Sequence, residues 1–207
     1  MARRVLVTGA SKGIGRAIAQ RFAGTGDRVA VHYCSDEAAA KETLTGLKRS
    51  DAGEHVSLRA DLASPAASVR LVEQAIAEIG GLDILICNHG IYEETPVETT
   101  NASEWAASFE RVLRINTIAP AELAHAAGKH MQQQGGGGAI VFVSSRGAYR
   151  GEPLAPAYGA SKAAINSLTG SLAQALAPHG IRVAAVAPGF VSTAMAATVL
   201  SGPRYAA

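Results

Sequence analysis

Tyr158 and Lys162 stand four residues apart, in Tyr158-Gly159-Ala160-Ser161-Lys162. On a helix that spacing puts both side chains on one face. A free tyrosine has a pKa of about 10 and is a poor base at neutral pH. A neighbouring ammonium favours the phenolate and lowers that value, which suits the pair to proton transfer. Such pairs are also common on plain helix surfaces, so the surroundings decide. Ser144 and Ser145 follow an apolar run beginning at Ala139. A hydroxyl there can hold a carbonyl oxygen beside the tyrosine, or simply cap the backbone. Asn116 interrupts an apolar helical pattern in Arg114-Ile115-Asn116-Thr117-Ile118. A mid-helix asparagine is unfavourable and calls for a reason.

A second group suits a phosphate-bearing ligand. A short apolar run leads into Thr8-Gly9-Ala10-Ser11-Lys12-Gly13-Ile14-Gly15, and a helical pattern follows. Gly9 permits a tight turn, Gly13 lets the backbone approach a pyrophosphate, and Gly15 allows close helix–strand packing. The helix N-terminus presents free N–H groups and a positive dipole end. An ordinary glycine turn is the plainer alternative, but the flanking strand and helix match what dinucleotide binding needs. The second apolar run ends His32-Tyr33-Cys34-Ser35, with no carboxylate until Asp36. An acid at that strand end would favour NAD. Lys12 can meet a 2′-phosphate as a point charge, or be a solvated loop lysine. The pattern favours NADP(H) over NAD(H).

The elements that must carry these residues alternate along the chain. Val5–Thr8, Arg28–Tyr33, His55–Ala60, Leu82–Cys87, Ala139–Ser144 and Ile181–Ala187 read as buried strands. Gly13–Gly24, Asp36–Arg49, Pro65–Ile79, Ser103–Gln133 and Pro156–Ala177 read as helices, with Pro65 at a first helical position behind Ser64. The alternation predicts an α/β fold: one Rossmann-like, doubly wound parallel sheet in the order 3-2-1-4-5-6. The glycine run Gly135–Gly138 reads as a helix–strand turn. The 207 residues suffice for a single domain with a substantial core. Hydrophobic residues make up 48% and charged residues 17%, which argues against disorder. The net charge of +2 carries no basic stripe, so no nucleic-acid partner is expected. The apolar run Val5–Val7 is too short for a signal peptide, and no stretch nears the ~18 apolar residues of a membrane span. A cytoplasmic protein without membrane contact is expected. Cys34 and Cys87 end strands predicted to flank a third, roughly 9.6 Å apart, too far for a disulfide. No metal site is expected.

In order along nearly the whole chain, these motifs resemble the short-chain dehydrogenase/reductase family. They are the glycine loop Thr8–Gly15, Asp61-Leu62 after the third strand, Asn88-His89-Gly90 after the fourth, Asn116, Ser145, Tyr158 with Lys162, and Pro188-Gly189-Phe190-Val191-Ser192-Thr193. The branch it is most similar to is that of 3-oxoacyl-thioester (acyl-carrier-protein) reductases. The resemblance implies catalytic roles for Asn116, Ser145, Tyr158 and Lys162. Ser145 is preferred over Ser144 because it lies thirteen residues before Tyr158, the usual separation in the family. It also implies dinucleotide contacts from Gly9, Ser11, Lys12, Gly13, Ile14, Gly15, Tyr33, Asp61, Leu62, Asn88, Gly90, Tyr158, Lys162, Pro188, Gly189, Val191 and Thr193. Asp61 would meet the adenine ring and Asn88 would stabilise the sheet beside the cofactor. Asn116 would open its helix and hold a relay water. The implied substrate is a small carbonyl compound or acyl thioester, and the implied assembly a homodimer or homotetramer.

Two features depart from the family pattern. Cys87 and His89 replace two members of its Asn-Asn-Ala-Gly run. His89 could titrate near neutral pH, but reads more simply as a histidine lining the cleft. The sequence also ends at Ala207, before the family's seventh strand, which would leave Ile181–Ala187 as an open sheet edge. Competing readings are an alcohol or sugar dehydrogenase working oxidatively, and a truncated module that binds dinucleotide without turnover.

Overall fold

The computed structural model describes residues 2–191. Strands β1 (Arg4–Val7), β2 (Arg28–Tyr33), β3 (Val56–Arg59), β4 (Ile84–Cys87), β5 (Gly138–Val143) and β6 (Ile181–Val186) form one parallel sheet. Its order is β3-β2-β1-β4-β5-β6, as the alternation of elements predicts. Successive side chains of a strand point to opposite faces, and a sheet covered on both faces needs apolar residues at every position. Val5, Leu6 and Val7 meet that demand and are wholly buried. Val5 and Val7 pack with Ala19 and Ala23 of α1 (Gly13–Gly24), in a cluster that Leu44 of α2 (Glu37–Thr45) also joins. Leu6 packs on the other face with α3 (Ala67–Ile79), α5 (Ala119–Gln134) and α7 (Pro156–Leu176), through Leu71, Leu123 and Ile165. Burying each such aliphatic side chain contributes about 1.5–3 kcal/mol.

Two ion pairs clamp the amino end of β1. Arg3 donates to Asp27, and Arg4 donates through Nε and Nη2 to the two carboxylate oxygens of Asp83, at 2.8 and 2.6 Å. Burial opposes charge on both aspartates, yet these arginine hydrogen bonds hold their carboxyls below the usual range. The clamps lie at the amino edge of the sheet and leave the carboxyl edge, where strand order reverses between β1 and β4, free to hold a ligand.

The structure corrects three details of the elements. Ser103–Gln133 is not one helix. It divides into α4 (Ala102–Leu113), a π turn over Arg114–Ile118 and α5, because Asn116 takes its hydrogen bonds outside the helix. Pro65 does not open α3. Asp61 folds the preceding residues into a turn by accepting from Ala63 N at 3.0 Å, and α3 begins at Ala67 behind Ala66 in the left-handed region. A short helix α6 (Gly147–Arg150) follows β5, where no element was predicted. Gly135–Gly137 form the α5–β5 turn as expected, while Gly138 already belongs to β5. β6 is the edge strand among the described residues. No described helix is long and apolar enough to cross a membrane.

Candidate active site

A cleft of about 570 Å³ opens at the carboxyl edge of the sheet. One end is walled by Gly9, Ser11, Lys12, Gly13 and Ile14. The end of β2 with the residues that follow it (His32–Asp36) and the turn after β3 (Ala60–Ala63) form a side, and Tyr158 and Lys162 of α7 close the other end. Asn88, His89 and Gly90 floor it after β4.

The glycine turn is built by close approach. Gly9 sits at φ +61°, a conformation side chains rarely adopt. A Cβ at Gly15 would press on the Gly9 carbonyl oxygen and come within 2.5 Å of Asn88 Nδ2. Gly15 therefore sets packing behind the cleft, as its position predicts, but it does not line the wall, where the resemblance implied a dinucleotide contact from it. Asn88 donates from Nδ2 to Thr8 O and Gly9 O, at 2.9 and 3.0 Å, and ties the turn to β4. α1 begins at Gly13 with neither a side-chain cap nor an acid in its first turn, so its positive end faces the cleft unquenched.

His32, an interior residue of β2, fixes the same turn. Its Nδ1 accepts from Gly9 N at 3.1 Å, so Nε2 carries the proton donated to Ala60 O at 3.0 Å. His89 lies across from it, with ring centroids 6.3 Å apart. His89 donates from Nε2 to Ile115 O and accepts at Nδ1 from Thr8 Oγ1 at 2.8 Å. Burial lowers the pKa of His32 to about 4 and of His89 to about 3, the charges of His32 and Lys162 adding to the latter shift. Both rings are therefore neutral, and His89 does not titrate near neutral pH.

At the reacting end, Lys162 is buried and donates from Nζ to Val143 O at 2.8 Å. Burial lowers its pKa to about 8. Its Nζ lies 5.7 Å from the Tyr158 ring centroid. The expectation that Lys162 lowers the tyrosine pKa is not met. Burial raises Tyr158, the Ser145 hydroxyl pulls it down, and the Glu152 charge adds to the rise. The reason is geometric: the ammonium is spent on a strand carbonyl instead of the phenol oxygen.

Ser144 donates to Lys162 O at 3.2 Å, so it links strand to helix. Ser145 accepts from Gly147 N at 3.1 Å and keeps its own proton to offer. Asn116 is fully buried. Its Oδ1 accepts from Ile91 N, and its Nδ2 donates to Ile91 O and to Ser161 Oγ. Ser161 in turn donates to Tyr158 O at 2.7 Å. The Asn116 amide thus braces α7 beside Tyr158 and is not itself aimed into the cleft.

Of the residues implied to hold the dinucleotide, Gly9, Ser11, Lys12, Gly13, Ile14, Tyr33, Asp61, Leu62, Asn88, Gly90, Tyr158 and Lys162 share the cleft wall. Pro188, Gly189 and Val191 do not line it. Pro188 O accepts from Arg146 N at 3.0 Å, which sets that segment beside α6. Thr193 lies outside the described residues. Lys12 Nζ stands 3.8 Å from Asp36 Oδ2, with both side chains exposed to solvent, a contact worth little there. The other Asp36 oxygen caps α2 by accepting from Ala39 N at 3.0 Å.

This arrangement matches a known group of proteins. The short chain dehydrogenase family model matches residues 3–203. The chain belongs to that family. It is 39% identical over 187 residues to galactitol 2-dehydrogenase of Agrobacterium fabrum, covering 90% of this chain and 69% of that one. It is 35% identical to glucose 1-dehydrogenase 2 of Bacillus subtilis, covering 92% and 72%. A crystal structure of a short chain dehydrogenase from Burkholderia cenocepacia in complex with NADP superposes with a TM-score of 0.86 at 34% identity, covering 98% of this chain and 79% of that one. As a short chain dehydrogenase the chain is an oxidoreductase. Sequence reasoning left the roles of His32 and Tyr92 unread, and took Glu152, near the expected pocket mouth, for a solvated loop residue. A histidine inside the apolar run Val29-Ala30-Val31-His32 was the available sign of the first. Tyr92, whose ring meets Tyr158 edge-on at 5.1 Å, gave none.

Proposed function

We propose that this short chain dehydrogenase is an NADP(H)-dependent reductase that converts a ketone or 3-oxoacyl thioester to a secondary alcohol. The observation that carries the reading is one cleft holding both the Gly9–Ile14 turn and the Tyr158/Lys162 pair. The residues fit a dinucleotide: an uncapped helix N-terminus and backbone held in the left-handed region at Gly9 and Gly13 offer N–H groups to phosphates. Lys12 would meet a 2′-phosphate, Tyr33 and Asp61-Leu62 would flank the adenosine, and Lys162 would hold the nicotinamide ribose. When bound, the cofactor supplies the hydride.

The chain's own residues would do the rest. Ser145 and Tyr158 donate hydrogen bonds to the carbonyl oxygen, where negative charge develops. Tyr158, kept as a phenol by burial, gives that oxygen its proton. Lys162 supports the transfer through its charge, and Asn116 keeps α7 in register. We read residues 1–207 as one dinucleotide-binding domain, working as a homodimer or homotetramer in the cytoplasm.

The test is a fluorescence titration with NADPH followed by absorbance decay on a panel of diketones and 3-oxoacyl thioesters. Turnover with a lower KM for NADPH than for NADH is expected. A preference for NADH rejects the cofactor assignment, and binding without turnover across the panel favours a dinucleotide-holding module. Tyr158→Phe is expected to abolish turnover while NADPH still binds; retained activity refutes the proton-donor role. The names of the galactitol and glucose dehydrogenases support a second reading, oxidation of a polyol or sugar by the same residues run in reverse.

A further inference from the structure

A carboxylate stands at the corner where Ser145 and Tyr158 meet. Glu152 follows α6, and its side chain folds back over Gly147. A Cβ at Gly147 would meet Glu152 Oε1 at 2.5 Å and Cγ at 2.7 Å. Gly147 is the residue whose N–H donates to Ser145 Oγ. From the other side, a Cβ at Gly159, next to Tyr158, would meet Glu152 N at 3.5 Å. The Glu152 charge reaches the Tyr158 phenol and opposes its ionisation.

The segment is fixed. Ala155 N donates to Glu152 O at 3.0 Å, and Thr95 N donates to Leu154 O at 2.7 Å. That second bond ties it to the loop carrying Tyr92, whose ring packs on Tyr158. Glu152 is half-buried and absent from the ion pairs formed among the described residues. Arg146, six residues before it, lies over the Phe190 ring at 4.5 Å instead. A half-buried carboxylate outside those ion pairs favours whatever donates hydrogen bonds to it.

We infer that Glu152 sets the substrate class, selecting carbonyl compounds with a hydroxyl or ammonium beside the reacting carbon and turning away those with a carboxylate or phosphate there. The inference rests on the reductase reading of the same site. A substrate hydroxyl gains a charge-assisted hydrogen bond at this corner, whereas an anion meets like charge in a partly desolvated place.

The experiment compares three ketones of matched size, bearing a hydroxyl, an ammonium or a carboxylate next to the carbonyl, with NADPH and the full chain. In the wild type, kcat/KM for the hydroxyl and ammonium ketones is expected to exceed that for the carboxylate by about tenfold or more. In Glu152→Gln the gap closes to about threefold or less, chiefly because the carboxylate ketone improves. Difference spectra against Tyr158→Phe should show the Tyr158 phenol ionising at lower pH in Glu152→Gln. Should that variant be unstable, the wild-type ranking decides alone. A wild type indifferent to the three charges, or a Glu152→Gln ranking unchanged from it, overturns this inference and leaves the reductase reading standing. A wild type that reduces the diketone or thioester panel but none of the three overturns this inference alone, and one that binds NADPH and reduces nothing in either set overturns the reductase reading with it.

Discussion

Lys162 shows how much a single residue's behaviour depends on its surroundings. Burial brings its pKa to about 8 and leaves Tyr158 above the ordinary tyrosine value. The ammonium is therefore present below pH 8 and lost above it, while the phenol keeps its proton across that window. For carbonyl reduction, kcat/KM is expected to fall as pH rises through about 8, since this parameter follows the free enzyme. A pH–rate profile checks the assignment, and an alkaline midpoint at 10 or above would transfer it to Tyr158. The cofactor assignment rests on Lys12. Lys12→Ala is expected to raise KM for NADPH by about tenfold with little change for NADH, because only the 2′-phosphate would face that charge.

Among the elements, α1 and the π turn do the positioning. α1 can reach the first glycine turn because Gly15 has no side chain. Gly15→Ala would drive a methyl group into Gly9 O and Asn88 Nδ2. The variant is expected to lose about 1–3 kcal/mol of stability, from overpacking against backbone that cannot yield, and to bind NADPH more weakly. Urea unfolding and the fluorescence titration measure the two effects. The π turn is legible only in hindsight. Arg114–Ile118 has the apolar period of a helix, and Asn116 signalled a break without saying where its amide would go. Its partners, Ile91 and Ser161, lie 25 and 45 residues away.

At the scale of the whole molecule, two neutral histidines are locked between β1, β2 and β4. Their folded pKa values, about 4 and about 3, lie below the unfolded value of about 6.5. Below pH 6.5 the unfolded chain therefore takes up protons that the folded chain refuses, and stability falls as pH drops toward 4. Above 6.5 both states are neutral and the pair contributes no pH dependence. Unfolding free energy is expected to drop by roughly 2–4 kcal/mol between pH 7 and pH 5. Urea melts at the two values check it, and equal midpoints would show that the rings protonate in place. NADPH binding should hold across that range and weaken only near pH 4, where the folded His32 takes up its proton and no longer accepts from Gly9 N.

By itself the sequence determined the order of the strands, the glycine turn and the placing of Tyr158 and Lys162 on one helix. Each of these is written in local spacing: period two or 3.6, glycines at fixed offsets, and a tyrosine and lysine one helical turn apart. The tertiary structure alone decided that Lys162 turns to Val143, that Tyr158 is raised, that two histidines stay neutral and that Glu152 leans over Gly147. Those outcomes depend on desolvation and on contacts between segments far apart in the chain, and no local pattern encodes either.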